Sequence, residues 1–458
     1  MVDSPSWMSW ARETPVPAAR ARPAHRMTAL GMASFAAAVV MVLIYTQCWQ
    51  MAVQGDKGGS DSSLVRAMFF PAYACSLVLM ALNPGEVLRA LLRQPLLILV
   101  LWVVGASVLW SINPDQTLRR IIALVFTTLS GVVLAARWKW AGLAEIMATA
   151  IGITAALSLI VCVFVPSFGR MHELFPGAWR GLWVEKNALG NMMTIGFMSA
   201  VAAALLAPQR AKLWWPTAGL CLVLVLASTS KTSLVSCLLG CCGLALVWIM
   251  RRGPAGKVIG TYGAVVGLLL LGFVVLVASN LVLAALGKDA TLTGRTQIWT
   301  AVMRRIQDRP WLGYGYGAVW DDTAPWSPLA WIIKQAGFRP YHAHNSWLQQ
   351  WLDLGIAGLI AWALYFTETV TRAVISLYRS AGAYLAVPFL LVFAMTTLTE
   401  SIAVVFNDCR WLFFVAIAAR LAMPDEPAPA RATRRRIGTQ ARRSSPEVAP
   451  RLRPALRL

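Results

Sequence analysis

The sequence predicts an all-α, polytopic integral membrane protein. Three observations favour this fold class: 58% of the 458 residues are hydrophobic, only 13% are charged, and long apolar runs recur from residue 29 to residue 422. A soluble domain usually carries about a quarter of its residues as charged side chains. Repeated apolar runs of this length are typical of helices that cross a bilayer.

The apolar runs divide into about twelve predicted spans. They lie near residues 29–47, 64–82, 95–111, 119–136, 143–165, 187–207, 213–229, 232–250, 258–286, 354–371, 382–400 and 402–422. The predicted domain organisation has five parts, which are an N-terminal segment 1–28, spans one to nine over 29–286, a large ordered loop over 287–353, spans ten to twelve over 354–422, and a disordered basic tail over 423–458.

The net charge of +21 is explained by membrane topology and not by nucleic-acid binding. Basic residues collect in alternate connections and in the tail, as the positive-inside rule expects. Those in the connections are Arg89, Arg93, Arg137, Lys139, Arg210, Lys212, Arg251, Arg252, Lys257, Arg372 and Arg379. We therefore expect both termini in the cytoplasm, the loop 287–353 outside, and lipid rather than nucleic acid as a partner. The eight cysteines form no CxxC pair, so no redox or zinc framework is expected.

The long outer interval is expected to be ordered. Residues 293–307 have the pattern of a helix whose apolar stripe lies in the membrane interface. The stripe consists of Ile298, Trp299, Val302, Met303 and Ile306. Pro310 ends this helix, and the glycines of the segment 313–317 indicate tight backbone. Four tryptophans after it are expected to form an aromatic belt, and these are Trp311, Trp320, Trp326 and Trp331.

Two of the four histidines, His342 and His344, lie at the end of this interval. Histidine is the side chain best suited to accept a proton near neutral pH. The alternative is that these histidines cap the next helix. The two histidines could also bind a metal ion together, but the sequence offers no further candidate ligands beside them. Asp321 and Asp322 are adjacent acidic residues in the outer interval, but they are a weak metal candidate. We therefore expect no metal and no cofactor.

Cationic residues are depleted from outer segments, so those that remain call for an explanation. They are Arg119, Arg120, Arg170, Arg180, Lys186, Lys231 and Arg295. Glu400 is a carboxylate at the outer end of an apolar span, where charge is costly and usually functional.

Four stretches of sequence resemble the O-antigen ligase and Wzy-type polysaccharide polymerase superfamily. They are Thr293–Thr296 with Ile298–Trp299 leading into Pro310–Gly315, then His342–Ser346 followed by Leu352–Gly358, then Gly181–Gly190, and Leu109–Ser111 with Pro114 and Leu118–Arg120. Ser228–Ser233 and Leu398–Ser401 are weaker matches. The resemblance covers about residues 65–420, and its Lys186-Asn187 form is closest to exopolysaccharide polymerases. Lys231 departs from the pattern, because many relatives have Arg there.

The resemblance implies a GT-C-like, metal-independent, inverting glycosyltransferase of the bacterial inner membrane. Its donor would be an undecaprenyl-diphosphate-linked glycan at the periplasmic face. The acceptor would be another carrier-linked repeat in a polymerase of exopolysaccharide biosynthesis, or lipid A-core in an O-antigen ligase of lipopolysaccharide biosynthesis. Chain-length regulators and flippases are further partner candidates. A transporter of the same lipid-linked sugar is less favoured, because the chain shows no internal repeat.

The resemblance also implies roles for particular residues in the loop 287–353, which would be the periplasmic catalytic loop. We expect His344 to be the catalytic base, with His342 as the alternative, and Arg295 to stabilise the leaving diphosphate. The substrate-binding candidates are Lys231, Arg180, His342, Asn345, Arg119, Arg120, Lys186 and Glu400. The alternatives are structural: helix capping or a salt bridge for Arg295 and Glu400, and anchoring to the interface or to lipid headgroups for the other cations.

Overall fold

The computed structural model describes residues 28–55, 63–172, 175–276, 294–321 and 324–425. These residues are mainly α-helical, and the one β pairing among them is an isolated bridge between Arg170 and Trp179. The described residues up to Met423 form one compact unit. The predicted all-α class is therefore confirmed.

Eighteen α-helices occur in the described part of the chain. They are α1 Ala29–Tyr45, α2 Gln50–Gln54, α3 Ser63–Ala67, α4 Phe70–Leu82, α5 Pro84–Leu92, α6 Pro95–Ala106, α7 Pro114–Arg137, α8 Trp140–Phe164, α9 Pro166–Gly169, α10 Lys186–Leu206, α11 Ala211–Ala227, α12 Lys231–Met250, α13 Pro254–Leu276, α14 Arg295–Asp308, α15 Pro328–Ala336, α16 Ser346–Arg379, α17 Ala383–Thr397 and α18 Cys409–Ala422.

Each of the twelve predicted spans overlaps at least one of these helices. By length and composition, seven stretches of the described chain can cross a membrane, and these are Ser63–Leu82, α7, α8, α10, Pro208–Ala227, α12 and α16. An eighth arises if the pair Pro84–Leu92 and Pro95–Trp110, bent by 86°, is a single span. A multi-pass membrane protein is confirmed, whereas the number twelve stays a prediction. Residues 277–286 of the predicted ninth span lie outside the described residues.

Helix α10 lies at the centre of the bundle, where it packs against α8, α11, α12 and α17. Its first turn makes a close approach at Gly190, because a Cβ built there would lie 2.5 Å from the Ser233 Oγ at the start of α12. A real Cβ cannot come that near another heavy atom. This glycine therefore allows the start of α10 to meet the turn between α11 and α12.

Helices α14 and α15 form a small second core with the first turns of α16. Its buried members are Ile298, Ala301, Val302, Ile306, Tyr314, Val319, Trp320, Leu329, Ile332, Ala343 and Leu352. The expectation that the α14 stripe lies in the membrane interface is therefore wrong, because the stripe packs against protein. The predicted aromatic belt is also only partly right: Trp311, Trp326 and Trp331 are exposed, but Trp320 is buried.

This outer unit is attached to the bundle at a break in α16. Gly355 has φ +67° and ψ −166°, and a Cβ there would lie 2.2 Å from the backbone of Trp311. The backbone N–H groups of Tyr314, Gly315 and Ile356 donate across this contact to Leu352, Asp353 and Pro310. The tight backbone predicted for 313–317 is confirmed, because all three glycines in it have positive φ.

The last two predicted spans have different limits in the structure. α17 ends at Thr397 and α18 begins at Cys409, so residues 398–408 form a loop that the predicted spans 382–400 and 402–422 had included. Apolar residues misled the prediction, because Ile402, Ala403 and Val404 are fully buried as loop. Side chains satisfy its backbone: Gln350 donates to the Ala403 carbonyl and Tyr316 to the Val404 carbonyl. Irregular backbone inside a membrane protein is stable only when it is buried in protein in this way.

Candidate active site

Three predicted site residues meet at one end of the bundle. His344 Nδ1 lies 3.0 Å from Glu400 Oε2, and Arg295 Nη2 lies 2.8 Å from Glu400 Oε1. Their side chains are 14–24% exposed, so the cluster is largely enclosed but reachable. They come from three separate parts of the chain, namely the start of α14, the loop before α16 and the loop after α17.

The loop that carries His344 is held on both sides. The Ala343 N–H donates to Gln349 Oε1, and its carbonyl accepts from Trp299 Nε1 at 2.9 Å. Asn345 caps α16, since its Oδ1 accepts from the backbone N–H groups of Trp347 and Leu348. His344 itself has φ +48°, a left-handed conformation that is uncommon for a residue with a Cβ and is often found at functional sites. Asn345 is therefore a helix cap, and substrate binding by it stays a prediction.

Glu400 is positioned by Ser346, the first residue of α16. The Ser346 Oγ donates to the Glu400 carbonyl at 2.8 Å and accepts from the N–H groups of Ile402 and Ala403. Burial alone would raise the pKa of Glu400. The hydrogen bond from His344 and the positive charge of Arg295 outweigh burial and lower the pKa to about 2. The carboxylate is therefore ionised throughout the physiological pH range.

His342 lies beside His344, with 3.9 Å between their ring centroids. Its Nδ1 accepts from the backbone N–H of His344 at 3.1 Å. Burial lowers the pKa of His342 to about 3, and the positive charges of Arg410 and Arg295 act in the same direction. The imidazole of His342 is therefore neutral, and it supports the conformation of the loop through an acceptor bond.

A second group of cations lies where α10 meets the turn before α12. The ammonium of Lys186 is 3.5 Å from Thr229 Oγ1 and 3.6 Å from the ring centroid of Phe175. Ser230 caps α12 and donates to Asn187 Oδ1 at 2.8 Å. Lys231, the first residue of α12, is exposed. The Gly181–Gly190 and Ser228–Ser233 stretches of the sequence thus form one structural unit.

Glu185 interacts electrostatically with the histidine cluster. It immediately precedes α10. Desolvation raises the pKa of Glu185, and the nearby charge of Glu400 raises it further, whereas His344 and Arg295 lower it.

Two predicted substrate-binding arginines are engaged in structural contacts. Arg180 is 8% exposed, and its Nε donates to the Phe168 carbonyl at 2.9 Å. Arg120 contacts Asp321 and the Gly317 carbonyl and lies over the ring of Phe406. Both residues therefore bind protein groups and not the interface or lipid headgroups, and substrate binding by them stays a prediction. Arg119, in contrast, is exposed on α7, and substrate binding by it stays a prediction.

Arg410 is a site residue that the sequence analysis missed. It is held by Asp408 at the start of α18, and its charge helps to lower the pKa of His342. The predicted span 402–422 had placed Arg410 inside the membrane. A charge within an apolar run is usually functional, and that signal could have identified it. Glu185, within Gly181–Gly190, was also not a candidate, although its charge influences the cluster.

The structure supplies a third candidate ligand to the histidine pair. His342, His344 and Glu400 each offer a ligand atom, and these atoms lie within 4.8 Å of one another. The expectation that the His342–His344 pair lacks further ligands is therefore wrong, because the chain fold brings Glu400 to it from 56 residues away. The weaker candidate at Asp321 is bound by Arg120 and Gln116, and Asp322 lies outside the described residues.

The cluster has the chemistry of a positioned base beside an anion-binding surface. An ionised carboxylate facing Nδ1 requires the Nδ1 nitrogen of His344 to carry the proton, which leaves the Nε2 lone pair available. Arg295 has five N–H donors and uses one of them for Glu400. A hydroxyl proton could be accepted at Nε2 while a developing negative charge is stabilised by the arginine and lysine side chains.

The fold and this site define a multi-pass α-helical membrane protein with a histidine–carboxylate–arginine cluster at one end of its bundle. Residues 216–363 match the family model described as O-Antigen ligase. The chain is also 29% identical, over 214 residues, to the exopolysaccharide production protein ExoQ of Rhizobium meliloti (strain 1021). That match covers 44% of this chain and 48% of the relative, so the chain spans about half the length of that protein.

The comparisons confirm the resemblance predicted from the motifs. They show similarity to a family described as O-Antigen ligase and to an exopolysaccharide production protein. The matched family segment contains Lys231, Arg295, His342 and His344. Glu400 and Lys186 lie outside that segment, and the three-dimensional structure alone brings Glu400 to His344.

Proposed function

We propose that this protein is a membrane glycosyltransferase that polymerises undecaprenyl-diphosphate-linked repeat units into exopolysaccharide at the periplasmic face of the inner membrane. The observation that carries the proposal is the His344–Glu400–Arg295 cluster, in which one carboxylate contacts both a histidine and an arginine. The printed name of the relative, an exopolysaccharide production protein, supports polymerisation. The description of the matching family favours the second candidate, an O-antigen ligase that transfers a lipid-linked glycan to lipid A-core.

The proposed reaction is a single displacement at the anomeric carbon. The acceptor hydroxyl gives its proton to His344 Nε2 as its oxygen attacks this carbon. The bond between that carbon and the diphosphate oxygen breaks, and the lipid diphosphate leaves with the electron pair. Attack opposite the leaving group inverts the configuration. Removal of the proton by a positioned base contributes about 10²- to 10⁴-fold in rate.

The leaving diphosphate gains negative charge, which cationic side chains can stabilise. Arg295 offers a planar fork of donors, and Lys186 and Lys231 offer point charges. In this proposal the cations take the role that a metal ion has in other glycosyl transfers, so activity is expected to persist in EDTA. Loss of activity that Mg²⁺ restores would contradict this part of the proposal.

Transfer by the purified protein tests the proposed function. The wild-type chain, reconstituted with lipid-linked repeat units, is expected to yield elongated lipid-linked polymer and free undecaprenyl diphosphate. Arg295→Ala is expected to abolish transfer, whereas Arg295→Lys keeps a trace because a point charge replaces a fork. Product on lipid A-core with no polymer would instead identify a ligase. Full activity of Arg295→Ala at normal expression would remove this residue from the mechanism.

A further inference from the structure

The geometry of the histidine cluster points to a second property of the site. We propose that His342, His344 and Glu400 form a binding site for a transition-metal ion such as Zn²⁺, and that occupancy by this ion inhibits glycosyl transfer. Binding itself follows from the side chains alone. Inhibition rests on the proposed function, because it requires His344 to be the base.

The spacing of the donor atoms fits a small first-row ion. His344 Nδ1 and Glu400 Oε2 are 3.0 Å apart, and all three ligand atoms lie within 4.8 Å of one another. Zn²⁺ binds histidine nitrogen and carboxylate oxygen at about 2.0–2.2 Å, so two ligands of a tetrahedral ion lie about 3.3 Å apart. The ion would take the place of the proton between His344 and Glu400. His342 accepts a hydrogen bond from the His344 backbone N–H at Nδ1, so it would have to give up this bond, or move its proton from Nε2 to Nδ1, to become a ligand.

The donor set also selects among metals. Two imidazoles and one carboxylate suit Zn²⁺, Cu²⁺ or Ni²⁺, whereas Mg²⁺ and Ca²⁺ prefer sites made of oxygen ligands. Three protein ligands leave a position open for water or another small ligand, as in catalytic zinc sites.

The surrounding charges set a limit on the affinity. Arg295 occupies the other oxygen of Glu400, and Arg410 is near His342, so both disfavour a bound cation. Glu185 and Asp408 act in the opposite direction. We therefore expect reversible, moderate binding, in keeping with an inhibitory ion rather than a permanent structural one.

Metal binding and general-base catalysis exclude each other at His344. An imidazole bound to a metal through Nδ1 carries its remaining proton on Nε2, which is the nitrogen that must accept the acceptor's proton. The ion would also neutralise Glu400 and weaken its hold on Arg295. Zn²⁺ is thus expected to reduce the maximum rate of transfer in a manner that excess EDTA reverses.

Binding is measured on the full-length, EDTA-treated protein in detergent, by titration with Zn²⁺ and metal analysis after dialysis. The expected result is one Zn²⁺ per chain, with affinity at least tenfold weaker in His342→Ala and in Glu400→Gln. Two controls should bind as the wild type does: His172→Ala, which alters an exposed histidine, and Cys241→Ser/Cys242→Ser, which removes adjacent thiols. Mg²⁺ should not compete.

A spectrum of the Co²⁺-loaded wild-type protein gives a result even if a variant fails to fold. The proposal predicts the visible bands of nitrogen and oxygen ligation without a thiolate charge-transfer band. Stoichiometric binding that is unchanged in both cluster variants, a thiolate band, or no Zn²⁺ binding at all would overturn the proposal. Binding without inhibition of an active enzyme would retain the metal site and reject His344 as the base, so the two failures can be told apart.

Discussion

Glu400 makes two charged contacts with one carboxylate. One oxygen faces His344 Nδ1 and the other faces Arg295. In the proposed mechanism this geometry fixes the tautomer of the base and positions the cation that stabilises the leaving group. Glu400 is therefore a positioning residue, since it acts through His344 and Arg295 and not on the substrate.

Glu400→Gln is expected to reduce the rate of transfer by about 10²-fold or more, because an amide can stabilise the wrong tautomer of the imidazole. The matched control is Glu368→Gln, which removes the carboxylate of another ion pair, 2.6 Å from Arg372. The control should keep wild-type activity. The test is to measure the initial rates of both variants with lipid-linked substrate across a range of pH. Equal rates for both variants would exclude a role for Glu400 in positioning the base.

His342 gives a prediction for stability against pH. Its pKa in the folded protein is about 3, below the usual value of about 6.5 for an unfolded chain. The folded state is therefore most stable, with respect to this residue, above pH 6.5. This stability is lost as pH falls from 6.5 towards 3, because the unfolded chain takes up a proton that the folded chain does not. Glu400 contributes nothing to the change in stability between pH 7 and pH 5. Its pKa is about 2 in the folded protein and about 4.3 in an unfolded chain, so its effect on stability falls below pH 4.3.

The measurement is the thermal midpoint in detergent at pH 7 and at pH 5. Through this residue, the free energy of unfolding of the wild type should fall by at most about 1.4 kcal/mol per pH unit below pH 6.5. The fall should be smaller than this limit because the ring is partly exposed. His342→Gln should show a flatter dependence, and His172→Gln should follow the wild type. A His342→Gln curve that is parallel to the wild type would show that His342 titrates normally.

The sequence identified most residues of the cluster but could not show their contacts. His344, Arg295 and Glu400 were all candidates, because charge and histidine are rare in outer loops of a membrane protein. Their pairing depends on long-range folding, with Glu400 lying 56 residues after His344 and 105 after Arg295. Arg410 was missed for a different reason: the apolar run around it was interpreted as one continuous span.

At the scale of elements, the start of α16 organises the site. Asn345 caps the helix, and Ser346 binds three backbone groups of the loop 398–408 through one hydroxyl. The loop would otherwise bury unpaired N–H and C=O groups. The position of Glu400 therefore depends on a side chain in another element.

Ser346→Ala is expected to destabilise the protein by about 1–3 kcal/mol, because buried backbone groups lose their partner, and to reduce transfer by displacing Glu400. Ser376→Ala on the same helix is the control. That buried hydroxyl bonds only to the Ala373 carbonyl within its own helix, so its loss should have a small effect. Thermal unfolding and transfer rates of both variants test this. Similar behaviour of the two serines would contradict the proposed tether.

Patterns of apolar residues predicted the elements better than their limits. The tight glycine segment and α14 were expected from local sequence, and they are present. The loop 398–408 was not, because a buried loop and a membrane span have the same apolar composition. The stripe of α14 was assigned to lipid for a similar reason: amphipathicity shows that a face is buried, but it does not show against what.

At the scale of the whole molecule, the candidate residues lie at one end of a helix bundle. The starts of α10, α12, α14 and α16 and the end of α17 all contribute to it. The alternation of basic connections predicts that this end faces the periplasm. A site at that depth could receive a carrier lipid from the bilayer and a glycan from the aqueous side.

Single cysteines in a cysteine-free variant test this orientation. Trp326 is 80% exposed on the outer unit, and Arg252 is exposed in the connection between α12 and α13. A membrane-impermeant maleimide should label Trp326→Cys in intact spheroplasts, and Arg252→Cys only after permeabilisation. Labelling in the reverse order would invert the predicted topology and exclude a periplasmic site.

The transfer rate of His344→Gln tests the central claim most directly. Glutamine can keep a hydrogen bond to Glu400 but cannot accept a proton, so the purified variant should fold normally and lose about 10²- to 10⁴-fold in rate. His342→Gln should lose less, and His172→Gln should match the wild type. Most of the wild-type rate retained by His344→Gln, with His342→Gln inactive, would assign the base to His342. Retention of that rate by both variants would contradict general-base catalysis at this site.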